Sequence, residues 1–353
     1  MSNKDHITEA FVQLGHFISQ FTTETPEKKE NILHNELFFD GFKHQIKLAK
    51  EHNGWFTQQN IQYALKGWSD QLTKVTLQNW LKKYDLTTTN PKTVAIIMAG
   101  NIPLVGFHDF LCVLLTGRSV LVKQSSNDKH LLPYLAKYLE HVTPDLKGKI
   151  TFTEDKLQNF DAVIATGSNN TARYFEFYFK NKPSIIRKSR NSAAILTGSE
   201  TPEQLDALSD DIFRYYGLGC RNVSKMFIPR DYNFDAFFNA MYKWNPIINE
   251  AKYANNYDYN KAVYIMSEFD MLENGFLMIK EDQSYASPIA TVFYEYYDSI
   301  EILKQKLQLD KDLIQCIVAN NFDDSEVSFG KTQQPELSDY ADDVDTIAFL
   351  LKI

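Results

Sequence analysis

TVAIIMAGNIPLVGFHDFLCVLLTGRSVLVKQSS, residues 93 to 126, is the stretch that decides the fold. TVAIIMA is an apolar run closed by the tight turn AGNIP, as expected of a parallel strand buried on both faces. PLVGFHDFLCVLLTG reads as a helix ended by Gly117, and RSVLVK as a second strand. A polar loop, Lys123-Gln124-Ser125-Ser126-Asn127, stands at the carboxyl end of that strand. The alternation then continues with a helix through His130 to His141 and strands in KITF and DAVIATGS. A turn at Thr166-Gly167-Ser168 leads into a helix from Thr171 to Phe179. Strand and helix in turn predict an α/β fold with a doubly wound sheet, whose ligands sit at the carboxyl ends of its strands. Asn101, Lys123, Ser126 and Ser168 all fall at those ends, so a nucleotide is the expected ligand. No GxGxxG occurs, and only 14 of 353 residues are glycine, which excludes the ordinary dinucleotide fingerprint.

The preceding ninety residues read as helical. Ile7, Phe11, Leu14, Phe17, Ile18 and Phe21 mark one apolar face. Thr25-Pro26-Glu27 carries a cap-and-proline helix start, and Trp55 to Tyr84 supplies further helix, reaching almost to Thr87. The aromatics Phe38, Phe39, Phe42, Trp55 and Phe56 suit a core, with an acyl pocket as the alternative. TTTNPK, residues 87 to 92, is a turn-rich boundary. Hydrophobic residues at 44% and charged residues at 23% are those of a soluble globular protein. A net charge of −8 argues against a nucleic-acid partner. The three cysteines, Cys112, Cys220 and Cys316, are widely spaced, which suits free thiols in a reducing, cytoplasmic setting and offers no metal knuckle. MSNKDHITEAF lacks the apolar core of a signal peptide, and no apolar run reaches membrane-spanning length.

The second half centres on YYGLGCRNVSKMFIP, residues 215 to 229. It follows an amphipathic helix with Thr201 as cap, Pro202 in the first turn, and Leu205, Leu208 and Ile212 on one face. Gly217 is placed to end that helix in a left-handed conformation, and Val223 to Ile228 reads as a buried strand. Cys220 between glycines and a strand leaves room for a carbonyl to approach; a small buried core thiol is the alternative. Further strands are expected in SAAILTG, SPIATVFYEY and IQCIVAN, and the closing TIAFLLKI reads as an edge strand. Cys112, Cys316 and His108 read as packing residues, with general acid as the alternative for His108.

AGNIPLVGF, LLTGRSVLVKQSS, IATGS and GLGCRNVSKMFIP occur in the order found in the aldehyde dehydrogenase superfamily, which the chain resembles over roughly residues 91 to 353. Within it the chain is most similar to acyl-CoA reductases of the bacterial luminescence fatty acid reductase type, including the ending FGKTQQPELSDYADDVDTIAFLL. The resemblance implies a Rossmann-like cofactor domain without GxGxxG plus a smaller α/β catalytic domain. The expected boundaries are a helical region at 1–90, the cofactor domain at 91–186, the catalytic domain at 187–320 and a return segment at 321–353. It implies that Cys220 is the nucleophile and that Asn101, with the Cys220 backbone N–H, forms the oxyanion hole. Lys123 would contact the adenosine ribose, Ser125 and Ser126 would bind the cofactor beside it, and Thr166, Gly167 and Ser168 would lie beneath the pyrophosphate. For Asn101 a turn role, for Lys123 a solvated loop position and for Ser168 a helix cap are the alternatives.

Two departures sharpen the expectation. Oxidising members carry a glutamate base where this chain has Arg187 or Lys188, so no carboxylate activates water against an acyl-enzyme. Ser126 stands where NAD-preferring members often carry an acid, and a serine beside Lys123 tolerates a 2′-phosphate. The position near Gln283 or Ser284 that many members fill with a second glutamate is also not acidic. The expected function is reduction of an acyl-CoA or acyl-carrier thioester to an aldehyde with NADPH (NADH as the alternative), through an S-acyl Cys220, with no metal. An oxidative aldehyde dehydrogenase, a thiol acyltransferase without nicotinamide and a non-catalytic scaffold are the rival readings. A homo-oligomer is left open.

Overall fold

The computed structural model describes residues 3–87, 91–322 and 326–353, and the chain divides into two compact units, 1–188 with 336–353 and 189–335. Within the TTTNPK boundary, residues 88–90 lie outside the described residues. In the first unit α1 (Asn3–Ile18), α2 (Asn35–His52), α3 (Gln58–Gln71) and α4 (Lys74–Leu81) precede the sheet. The sheet region runs β1 (Thr93–Ile97), α5 (Phe107–Leu115), β2 (Ser119–Lys123), α6 (Leu131–Val142), β3 (Ile150–Phe152), β4 (Ala162–Thr166), α7 (Asn169–Tyr178) and β5 (Ser184–Arg187). The strands pair in parallel in the order β3-β2-β1-β4-β5. The order reverses beside β1, so the switch point where doubly wound sheets bind ligands lies at the carboxyl ends of β1 and β4.

One core joins the N-terminal helices to this sheet. Phe17 stacks on Tyr138 of α6 with ring centroids 4.4 Å apart, and Phe21 meets Phe42 edge-on at 4.9 Å. Phe38, Phe39, Phe42 and Phe56 are buried in that core, with Trp55 packed on it, so the aromatic stripe is packing.

The second unit comprises β6 (Asn191–Ile195), α8 (Pro202–Phe213), β7 (Val223–Ile228), α9 (Phe234–Met241), α10 (Ala251–Met266), β8 (Met271–Glu273), β9 (Met278–Glu281), β10 (Thr291–Tyr296), α11 (Ile300–Leu309) and β11 (Ile314–Val318). Its sheet order is β11-β6-β7-β10-β9-β8, parallel apart from the antiparallel β8–β9 pair.

Four local expectations are corrected. TIAFLLKI is a helix, α12 (Thr346–Lys352), because Asp345 caps it by accepting the Ala348 N–H at 2.8 Å and Ile347 and Leu350 bury one face. Thr25-Pro26-Glu27 opens no helix, since nearby Lys29 is held by side chains instead: its N–H by Gln20 and its carbonyl by Asn35. α4 ends at Leu81, well short of Thr87. α8 ends at Phe213, before Gly217, because Tyr215 and Tyr216 already adopt left-handed backbone.

Candidate functional site

In the first unit the residues singled out from sequence lie at the carboxyl ends of the strands. Asn101 is half-buried in the turn that leaves β1. That turn is tied to the loop after β2 by Asp128, whose carboxylate accepts the Leu104 N–H at 3.0 Å. Burial pushes the Asp128 carboxyl up to about 6, against the opposing pull of the Leu104 N–H. Gly100 is required by close approach, as a Cβ there would stand 2.5 Å from Ser125 Oγ.

Lys123 ends β2 and its Nζ donates to the Asp155 carbonyl at 3.0 Å. Ser125 Oγ accepts the Asn127 N–H at 3.2 Å, and the Ser126 carbonyl accepts from His52 Nε2 at 2.6 Å. His52 comes from the end of α2, seventy-four residues away, and no local pattern announced its role. Thr166 ends β4, and the Gly167 N–H donates to the Arg187 carbonyl at 3.2 Å. Ser168 caps α7, its hydroxyl accepting the Thr171 N–H at 3.3 Å. A Cβ on Gly167 would meet Thr171 and Phe175 at 3.0 Å. Parallel strand ends at the switch point, a bare Gly167 and a capped helix start fit a nicotinamide dinucleotide.

Arg187 ends β5 and is buried. Its guanidinium grips both oxygens of Asp109 on α5, Nη2 to Oδ1 at 2.9 Å and Nη1 to Oδ2, and also reaches Thr346 Oγ1 at 3.2 Å. Burial disfavours the charge, but the Asp109 carboxylate more than offsets that and raises the guanidinium pKa. The Arg187 side chain thus makes a structural ion pair inside its own unit. Cys112 is buried and its thiol is pushed well above the usual range by burial, then by Asp109, so it is inert. His108 is half-buried and donates to the Leu337 carbonyl at 3.0 Å, and desolvation lowers its pKa and favours the neutral ring.

In the second unit Cys220 sits on a turn built to present it. Thr201 and Gln204 form a capping box at the start of α8. After α8 three successive residues, Tyr215, Tyr216 and Gly217, take φ of 55°, 60° and 74°. Two bulky residues in that region are strained, a cost met where the surrounding structure over-determines the chain. Asn222 supplies that constraint. It is 1% exposed; its Oδ1 accepts the Gly219 N–H at 2.8 Å, while Nδ2 donates to the Asp211 and Arg214 carbonyls at 2.9 and 2.8 Å. Ser192 Oγ donates to the Cys220 carbonyl at 3.0 Å and lies 3.0 Å from Cys316 Sγ. Cys220 is the exposed cysteine of the three, and Cys316 is half-buried in β11. Among the described residues no cluster of three or more metal-binding side chains occurs, and no helix is long and apolar enough to cross a membrane.

A sequence profile for acyl-CoA reductase (LuxC) matches residues 24–237, well over half of the chain. The chain belongs to that family. The matched span takes in part of the N-terminal helical region, so the likeness extends further upstream than the motifs alone indicated, and it includes every site residue from Asn101 to Cys220. Among curated proteins, the long-chain acyl-protein thioester reductase of Aliivibrio fischeri is 24% identical over 235 residues, covering 59% of this chain and 47% of that protein. The chain thus spans about half the length of this curated relative. The fold is that of aldehyde dehydrogenases. Indole-3-acetaldehyde dehydrogenase of P. syringae, solved with NAD+, is 11% identical with a TM-score of 0.63 over 95% of this chain and 75% of its own. Aldehyde dehydrogenase 21 of Physcomitrella patens gives 11% and 0.64, over 91% of this chain and 77% of its own. For this acyl-CoA reductase family member a nicotinamide cofactor accords with the NAD+ complexes among the structural neighbours.

Proposed function

We propose that the protein reduces an acyl thioester, carried on CoA or on an acyl carrier protein, to an aldehyde through an S-acyl intermediate on Cys220, in a cytoplasmic setting. The observation that carries this reading is the presentation of Cys220, an exposed thiol on a strained turn clamped by Asn222 and Ser192. The Cys220 thiolate attacks the thioester carbonyl, a new C–S bond forms, and the carrier thiolate leaves and takes up a proton. Asn101 and the Cys220 backbone N–H are assigned to the developing oxyanion. NADPH, when bound by the strand-end residues Lys123, Ser125, Ser126, Thr166, Gly167 and Ser168, supplies the hydride that reduces the acyl carbon. The C–S bond to Cys220 then breaks, aldehyde departs and the thiolate is restored. Arg187, where oxidising members carry their base, is engaged with Asp109, which supports an acyl-enzyme that outlasts water.

The test is to mix purified protein with a series of acyl-CoAs and follow nicotinamide absorbance with NADPH and then NADH. Aldehyde formation by the wild type, its loss in Cys220→Ala and loss of covalent labelling by radioactive acyl-CoA in that variant are expected. Aldehyde formation by Cys220→Ala would refute the mechanism, and carboxylate production from aldehyde without a thiol carrier would favour the oxidative rival.

A further inference from the structure

The segment of the second unit after Phe329 is fixed by one buried carboxylate. Asp211 of α8, 1% exposed, accepts the Gly330 N–H at 2.6 Å, the Thr332 N–H at 3.0 Å and the Thr332 hydroxyl at 2.8 Å. Gly330 takes a φ of 78°, the left-handed turn that brings the chain back under this carboxylate. The Thr332 carbonyl accepts from Arg221 Nε at 2.5 Å, which fastens the same segment to the residue following Cys220. The next residue, Gln333, therefore has its side chain held beside the thiol turn. Its Nε2 and Oε1 each lie 3.6 Å from the point where a Cβ on Gly219 would stand.

Gln333 Nε2 is buried and makes no hydrogen bond among the described residues. Buried amide donors are almost always paired, so one left open beside the thiol turn calls for a partner. The thiol chemistry proposed above does not use it. A side-chain amide offers one donor and one acceptor side by side, which an apolar acyl chain cannot answer and a secondary amide can. Adjacent Cα atoms lie about 3.8 Å apart, so a group beside Gly219 stands within a few bonds of a thioester sulfur that is reacting at Cys220. In a pantetheine thioester the first amide comes two methylenes beyond that sulfur.

We propose that Gln333 is a specificity-determining residue that recognises the amide of the pantetheine arm, the chemistry shared by CoA and acyl carrier proteins. The proposal rests on the thioester reading of the protein. It explains why the segment bearing Gln333 is anchored both to α8 by Asp211 and to the cysteine turn by Arg221.

The experiment compares one acyl group on two small thiols: its N-acetylcysteamine thioester, which has the amide, and its ethanethiol thioester, which lacks it. Aldehyde formation is measured for wild type, Gln333→Met, which keeps the bulk, and Gln333→Ala. The variants are expected to lose roughly tenfold in kcat/KM on the amide-bearing thioester, mainly through KM, and nothing on the other. An equal loss on both thioesters would mark Gln333 as merely structural and overturn the proposal, as would no loss on either. Parallel assays with acyl-CoA and acyl carrier protein show which the wild type prefers, and the variants should lose a similar factor on the preferred one; retention there overturns the proposal too. A wild type inactive on every thioester would instead sink the proposed function, and this inference with it.

Discussion

Replacing Asn222 with alanine tests whether the thiol turn is built as described. The side chain is 1% exposed and makes three hydrogen bonds of 2.8 to 2.9 Å, to the Gly219 N–H and to the Asp211 and Arg214 carbonyls. At about 1 kcal/mol net for each bond, Asn222→Ala should lower stability by about 3 kcal/mol. Without the clamp, the strained pair Tyr215–Tyr216 is expected to relax and shift Cys220. A displacement of about 1 Å at a reacting atom is worth roughly a hundredfold in rate. Urea denaturation reads the first quantity; aldehyde formation from acyl-CoA, with the rate of Cys220 alkylation by iodoacetamide assigned by mass spectrometry, reads the second. A loss of stability below about 1 kcal/mol with unchanged kcat and unchanged alkylation would refute the clamp.

Three further outcomes are expected. Arg187→Glu sets a second carboxylate against buried Asp109, so it should destabilise the protein by roughly 3–5 kcal/mol and yield no oxidation of aldehyde; gain of carboxylate product would contradict the ion-pair reading. Asp128 has its carboxyl raised by burial from 3.8 to about 6, so the folded state binds the proton more tightly and stability falls as pH rises from about 4 to about 6. That contribution amounts to roughly 3 kcal/mol, and Asp128→Asn should flatten it in pH-dependent urea titrations; an unchanged profile would show that the group titrates normally. Ser126→Glu should raise the KM for NADPH roughly tenfold while sparing NADH, through repulsion of the 2′-phosphate; equal effects on both cofactors would remove Ser126 from the ribose site.

Much of the candidate site was legible because its carriers are local. Asn101, Lys123 and Thr166 lie where apolar strand patterns end, and Ser168 has the spacing of a helix cap, so hydrophobic periodicity alone located them. The long-range contacts that brace the surrounding loops and turns are not legible in that way. His52 reaches Ser126 across 74 residues, Arg187 reaches Asp109 across 78 and Asp211 reaches Thr332 across 121. His52 and Asp211 are ordinary polar residues in their own neighbourhoods, and although Arg187 stands out by its place in the resemblance, nothing local names Asp109 as its partner.

Backbone patterning and turn chemistry act over a few residues, so the amino-acid order by itself determined the strand–helix alternation from Thr93 onward, the Thr201 helix cap, the buried Cys112 and the aromatic core around Phe17 and Phe42. Tertiary structure decided the rest. An apolar run such as TIAFLLKI suits a strand or a helix, and it became a helix once Asp345 capped it and its buried face packed on α5. YYG after α8 would pass for the end of a helix. Asn222, reaching three backbone groups at once, holds two tyrosines in a left-handed turn and leaves Cys220 exposed. The reason is energetic. Strain of that kind persists only when distant parts of the chain satisfy the polar groups it frees, and such satisfaction exists only in the folded protein.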